Sequence, residues 1–137
     1  MAPRLILVAA AALVLALPAP AGAASPLAGT HWTVQKIGKH VMPAGFGAEL
    51  HFQARRRWTG SDDCNNLGGR YRLRSRGSRL RFVDMRSTAR ACDYPPGAVP
   101  PSFSGALVAT RHYRLSKGRL VLLGARGRML ARLTRLH

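Results

Sequence analysis

The sequence predicts a mainly β domain with one short α-helix, built as a small curled antiparallel sheet or a partly open β-barrel. Three observations predict it. Apolar and polar residues alternate over short runs, with the two-residue period of a strand. Glycine-bearing turns separate those runs. One stretch near residues 102–110 instead carries its apolar residues at helical spacing. Many short strands and a single helix fit a sheet that buries one face against itself.

The chain of 137 residues is long enough for one domain. Its start reads as an export signal over residues 1–23. Arg4 supplies the positive end, residues 5–17 are an uninterrupted apolar run, Pro18 and Pro20 break it, and Ala21, Gly22 and Ala23 are small enough for cleavage. A membrane anchor is the competing reading, but spanning takes about 20 apolar residues, more than this run holds. No cysteine stands near the cleavage point, so lipid attachment is not expected. The expectation is a monomeric mature domain over residues 24–137, periplasmic or secreted, with no transmembrane segment after the signal is removed.

Along that domain, Trp32, Thr33, Val34 and Ile37 favour a strand, with Trp32 and Val34 on one face. Residues 38–47, with Pro43, Gly45 and Gly47, read as a loop. Ala48, Leu50 and Phe52 then point inward between Glu49, His51 and Gln53. Arg55, Arg56 and Arg57 turn the chain into a short strand that begins at Trp58 and ends at Gly60. The clearest hairpin follows. A turn at Arg76 and Gly77 places Tyr71 opposite Phe82 and Leu73 opposite Leu80. Residues 84–91 are a connector, and the prolines at 95, 96, 100 and 101 exclude regular structure. Ser102 is the candidate N-cap of the helix that carries Phe103, Ala106 and Leu107. Alternating segments from His112, Arg119 and Arg128 close the chain, joined at Lys117-Gly118 and across Gly124 and Gly127.

Two cysteines, Cys64 and Cys92, remain in the exported domain. An oxidising compartment favours a disulfide between them; two buried thiols are the alternative. The charge is lopsided, with 22 Lys and Arg against 5 Asp and Glu and a formal net charge of +17. Such a surface attracts polyanions. All the basic residues but Lys36, Lys39 and Lys117 are arginine, which a GC-rich genome also writes. Charge alone therefore names no partner.

The hairpin concentrates that charge. Its register places Arg72 opposite Arg81 and Arg74 opposite Arg79, and like charges directly opposite destabilise by up to about 1 kcal/mol per pair. Arg70, Arg72, Arg74, Arg79 and Arg81 thus share one outward face, the candidate anion-binding face; a solvated basic surface is the competing reading. No aromatic residue shares this outward face with the arginines, so nucleic acid is not indicated as a partner.

Catalytic constellations are not evident. Asp62 and Asp63 are adjacent, point apart in extended chain, and fit a turn before Cys64 better than an acid/base pair. His31, His40, His51, His112 and His137 show no metal-ligand spacing, so no metal or cofactor is expected. Asn65, Gly68 and Gly69 read as backbone-shape residues, for positive φ or close packing.

The ordered motifs resemble the META-domain family, small bacterial envelope proteins that include the HslJ type. Leu27, Gly29, Thr30 and Trp32 match its opening Leu-x-Gly-Thr-x-Trp. Cys64, Asn65, Gly69 and Tyr71 fit Cys-Asn-x-x-x-Gly-x-Tyr, and Thr88 with Cys92 fits Thr-x-x-x-Cys. Leu80-Arg81-Phe82, Phe103 with Leu107, and Leu120-Val121-Leu122 suit later strands and the helix. Asp63 stands where the family usually has Gly, the helix lacks the relatives' acidic residues, and the proline run before it is unusual. The resemblance implies an envelope or secreted β domain linked to stress response, tolerance or virulence, with no catalytic residue to carry over.

Two functions follow as expectations. The first is a non-enzymatic exported accessory domain that binds a protein or an anionic envelope polymer. The second is a barrel holding a small apolar ligand between Trp32, Phe52, Tyr71 and Phe82.

Overall fold

The computed structural model describes residues 2–3, 9–17, 25–74 and 78–137. Arg4, the cleavage residues Ala21, Gly22 and Ala23, and the turn expected at Arg76 and Gly77 lie outside the described residues. Among the described residues no helix is long and apolar enough to cross a membrane.

In chain order the elements are β1 (His31–Ile37), β2 (His40–Val41), β3 (Ala48–Phe52), β4 (Arg57–Asp62), β5 (Asn66–Arg74), β6 (Arg79–Ser87), α1 (Phe103–Ala109), β7 (His112–Ser116), β8 (Arg119–Leu123) and β9 (Met129–Leu136). The nine strands form one antiparallel sheet in the order β2-β1-β3-β4-β5-β6-β7-β8-β9, and β1 pairs with β9 as well. The hydrogen bonds therefore run in a ring from β1 round to β9, with β2 as a short arm outside it. Its thinnest junction joins β6 to β7 through the single pair Arg79↔His112. Two backbone bonds flank it, Leu80 N–H to the Arg111 carbonyl at 3.0 Å and Tyr113 N–H to the Ser78 carbonyl at 2.9 Å.

Helix α1 packs against β6, β8 and β9 beside that junction. Ser102 caps it as the sequence predicts, its hydroxyl accepting from Gly105 N–H at 2.9 Å. Phe103, Ala106 and Leu107 face inward. Trp32, Leu50, Phe52, Trp58, Tyr71 and Leu80 fill the interior, none more than 2% exposed, each contributing about 1.5–3 kcal/mol by burial. Polar atoms carried in with them are paired. Trp32 Nε1 donates to Thr30 Oγ1 at 2.7 Å, and Trp58 Nε1 to the Arg70 carbonyl at 3.1 Å.

The sheet is more continuous than the sequence predicts. Gly60 does not end β4, which runs on to Asp62, because the glycine permits close approach to β3: a Cβ there would lie 2.5 Å from the Glu49 carbonyl oxygen. Residues 84–87 are not a connector but the end of β6, paired through Gly68↔Arg86 and Leu67↔Ser87 around a bulge. Asp84 absorbs that bulge at φ 52°. The loop over 38–47 holds a strand pair, Ile37↔His40 and Lys36↔Val41, which turn residues had hidden.

Of the two glycines inside β5, packing explains Gly69. Neither Gly68 nor Gly69, nor Asn65, adopts positive φ; that conformation falls on Asp63, at 77°. A Cβ on Gly69 would meet the Val83 and Asp84 carbonyl oxygens at 2.8 and 2.9 Å.

Candidate anion-binding face

Burying Trp58, Leu67, Tyr71 and Leu80 on the inner side forces their strand neighbours outward. Arg70, Arg72 and Arg74 of β5 and Arg79 and Arg81 of β6 are all exposed on that outer side. The register pairs Arg72 with Arg81 and Arg74 with Arg79, and also Tyr71 with Phe82 and Leu73 with Leu80. A third arginine pair lies on the other flank of β5, where Arg57 of β4 is opposite Arg70. Sequence reasoning missed it by placing Arg57 in the turn; with Trp58 fixed inward, alternation points Arg57 outward.

These three pairs are successive rungs along β5. Beside them lie three surface clefts. One of about 720 Å³ is bordered by Arg55, Arg57, Arg70 and Arg86. The next, about 510 Å³, lies between Arg56, Arg70, Arg72 and Arg74. The last, about 380 Å³, is lined by Arg72, Arg74, Arg79, Arg81 and Arg111 with His112. Arg111 is anchored there, its Nη1 donating at 2.8 Å to both the Val108 and Thr110 carbonyls at the helix end. Asp84 lines two of the clefts. Among the described residues no arginine of this face has a carboxylate within ion-pair distance.

The turn feeding the face is backbone-strained. Arg55 and Arg56 both have φ 58°, a left-handed conformation that favours Asn and Gly. Arg56 is held over the Tyr71 ring at 5.6 Å. Burial raises the Tyr113 phenol above its ordinary value of 10.0, with the Arg56 charge pulling it down.

The polar residues around Cys64 are committed elsewhere. Asp62 Oδ1 accepts from the N–H groups of Cys64 and Asn65 at 3.0 and 2.5 Å, and Asp63 Oδ1 from Gly47 N–H at 2.8 Å. Asn65 Oδ1 accepts from Thr88 Oγ1 at 3.0 Å and Arg90 N–H at 2.7 Å. This polar clasp aligns residues 88–92 beside 64–66. Cys64 and Cys92 are disulfide-bonded with Cα atoms 6.0 Å apart. The bond lies at the rim, with Cys92 exposed, so the core packs beside it rather than around it.

His31 and His51, far apart in sequence, stack at 5.2 Å across β1 and β3, with His31 Nε2 3.0 Å from Glu49 Oε2. Among the described residues no group of three or more His, Cys, Asp or Glu is arranged to hold a metal ion. Trp32, Phe52, Tyr71 and Phe82 belong to one packed cluster, with Phe52 edge-on to Tyr71 at 5.0 Å.

Ring-paired sheet, capping helix and basic outer face define a small antiparallel β domain. The family is shown directly: the META domain model matches residues 25–136, and the chain belongs to the META domain family. Solved structures share the fold. A protein from Burkholderia xenovorans, solved by NMR, has 19% identity and a TM-score of 0.64 over 88% of this chain and 97% of its own. A DUF4847 family protein from Bacteroides vulgatus has 15% identity and a TM-score of 0.55, covering 80% and 94% of the two chains. At these identities the likeness is one of fold. No curated protein matches the chain.

Proposed function

We propose that this META domain protein is an exported, non-enzymatic accessory domain that binds an anionic polymer of the cell envelope through its arginine face. It would work in the periplasm or outside the cell after loss of residues 1–23, without a lipid anchor, in envelope stress or tolerance. The observation that carries the reading is the stacking of three arginine pairs on one exposed face with no carboxylate within ion-pair distance of them among the described residues. Like charges directly opposite one another cost stability, and an anionic ligand turns that cost into binding.

The export part is supported by the Arg4 start, the apolar run over 5–17 and the Cys64–Cys92 geometry. The non-enzymatic part is supported by the structural employment of Asp62, Asp63, Cys64 and Asn65. The packed contacts among Trp32, Phe52, Tyr71 and Phe82 favour a surface role over an apolar ligand held inside.

The test is retention on a sulfated polyanion column under a salt gradient. Arg72→Ser/Arg81→Ser elutes at clearly lower salt than the parent chain, and elution at unchanged salt overturns the reading.

A further inference from the structure

We infer that the arginine face is a ladder for a linear phosphate polymer, entered at Arg57–Arg70 and followed through Arg72–Arg81 to Arg74–Arg79. This deepens the anion-binding reading and rests on it. The outward residues of β5 repeat about every 6.8 Å, twice the rise of an antiparallel residue. Each rung sets two guanidinium stems on Cβ atoms about 4.5–5.5 Å apart. The first and second clefts share Arg70 and the second and third share Arg72 and Arg74, so the rungs border neighbouring clefts. The first rung sits on the β4 flank and the other two on the β6 flank, which makes the track cross β5 obliquely.

Ligand geometry selects phosphate over carboxylate. A carboxylate holds its acceptor sites in one plane, so two guanidinium forks reach it together only within that plane. An interior unit of a phosphate chain carries two non-bridging oxygens on a tetrahedral phosphorus. These point in different directions and accept from two forks at once, which suits a pair of arginines facing each other. No exposed aromatic ring on β4, β5 or β6 offers bases a stacking platform: Trp58 and Tyr71 are buried and Phe82 is half-buried. A lipid surface is also disfavoured. The exposed large hydrophobic side chains of the folded domain are Val41, Val99, Val108, Leu115 and Leu136, none of them on β4, β5 or β6. The polymer is therefore a base-free phosphate chain.

Fluorescence polarisation of the full chain with end-labelled linear inorganic polyphosphate tests the ladder, against polyglutamate of equal charge number and phosphatidylglycerol vesicles. Polyphosphate binds at least about tenfold tighter than polyglutamate at one salt concentration. Removing any rung (Arg57→Ser/Arg70→Ser, Arg72→Ser/Arg81→Ser or Arg74→Ser/Arg79→Ser) weakens it and lowers the salt slope by about 1 per lost phosphate contact. Arg119→Ser/Arg135→Ser, on β8 and β9, has a smaller effect, and thermal midpoints confirm that every variant is folded. Equal affinity for polyglutamate, with the rungs still mattering, overturns the phosphate ladder and leaves the anion-binding face standing. Full binding without the Arg57–Arg70 rung, or vesicle capture that polyphosphate does not compete, overturns the ladder too. If no rung variant changes binding to either polymer, both readings fall.

Discussion

Arg55 and Arg56 occupy a turn whose backbone asks for other residues. Left-handed φ costs a non-glycine residue roughly 1–2 kcal/mol, and Asn least among them because its short side chain bonds locally. Both arginines nevertheless hold φ 58°. Their side chains border the first two clefts of the basic face, so the strain lies where charge is delivered. Arg55→Asn is expected to raise stability by about 1 kcal/mol in urea unfolding, while lowering polyanion retention. Arg56→Asn gains less, since it also gives up the contact over the Tyr71 ring, worth about 0.5–1 kcal/mol at an exposed site. An equal gain from both substitutions would show that the Arg56–Tyr71 contact contributes nothing.

Two devices close the unit between β4 and the segment after β6, and they are separable. The disulfide restricts the unfolded chain; over a separation of 28 residues this is worth about 3–4 kcal/mol in the entropy model. The Asn65 clasp acts on the folded state, through two hydrogen bonds to residues 88 and 90. Cys64→Ser/Cys92→Ser therefore lowers unfolding stability by about 3 kcal/mol while leaving the folded spectrum unchanged. Asn65→Ala costs about 1–2 kcal/mol in either background. Loss of the fold's circular dichroism in the double serine variant at room temperature would show that the clasp cannot hold the segment alone. At this scale the sequence was partly legible. Alternation gave the β5–β6 register from Tyr71↔Phe82 to Arg74↔Arg79, and helical spacing gave α1 with its cap. The continuation of β4 past Gly60 and of β6 past Asp84 was not legible, because glycine and aspartate are turn residues by propensity and what keeps them in strands is a neighbour across the sheet. The third arginine pair was hidden for the same reason: Arg57 faces Arg70 only once β4 and β5 are paired.

Across the whole molecule the formal charge of +17, with only 5 Asp and Glu in the chain, sets stability against ligand binding. Self-repulsion opposes compaction when net charge is far from zero, and the face concentrates part of it in three like-charge pairs. Arg81→Ser is therefore expected to stabilise the free chain by up to about 1 kcal/mol at low salt. The gain fades near 1 M salt, where the screening length falls to about 3 Å. Polyphosphate reverses the order. A ligand that binds only the folded state stabilises by RT ln(1 + [L]/Kd), so the parent chain gains more than the variant that has lost half a rung. Thermal unfolding at two ionic strengths, with and without polyphosphate, reads all of these effects together. Arg81→Ser that destabilises equally at both salt concentrations would place Arg81 among the packing residues. A crossing of the two stability orders when polyphosphate is added would identify the unneutralised rungs as the part of the fold in which stability is given up for binding.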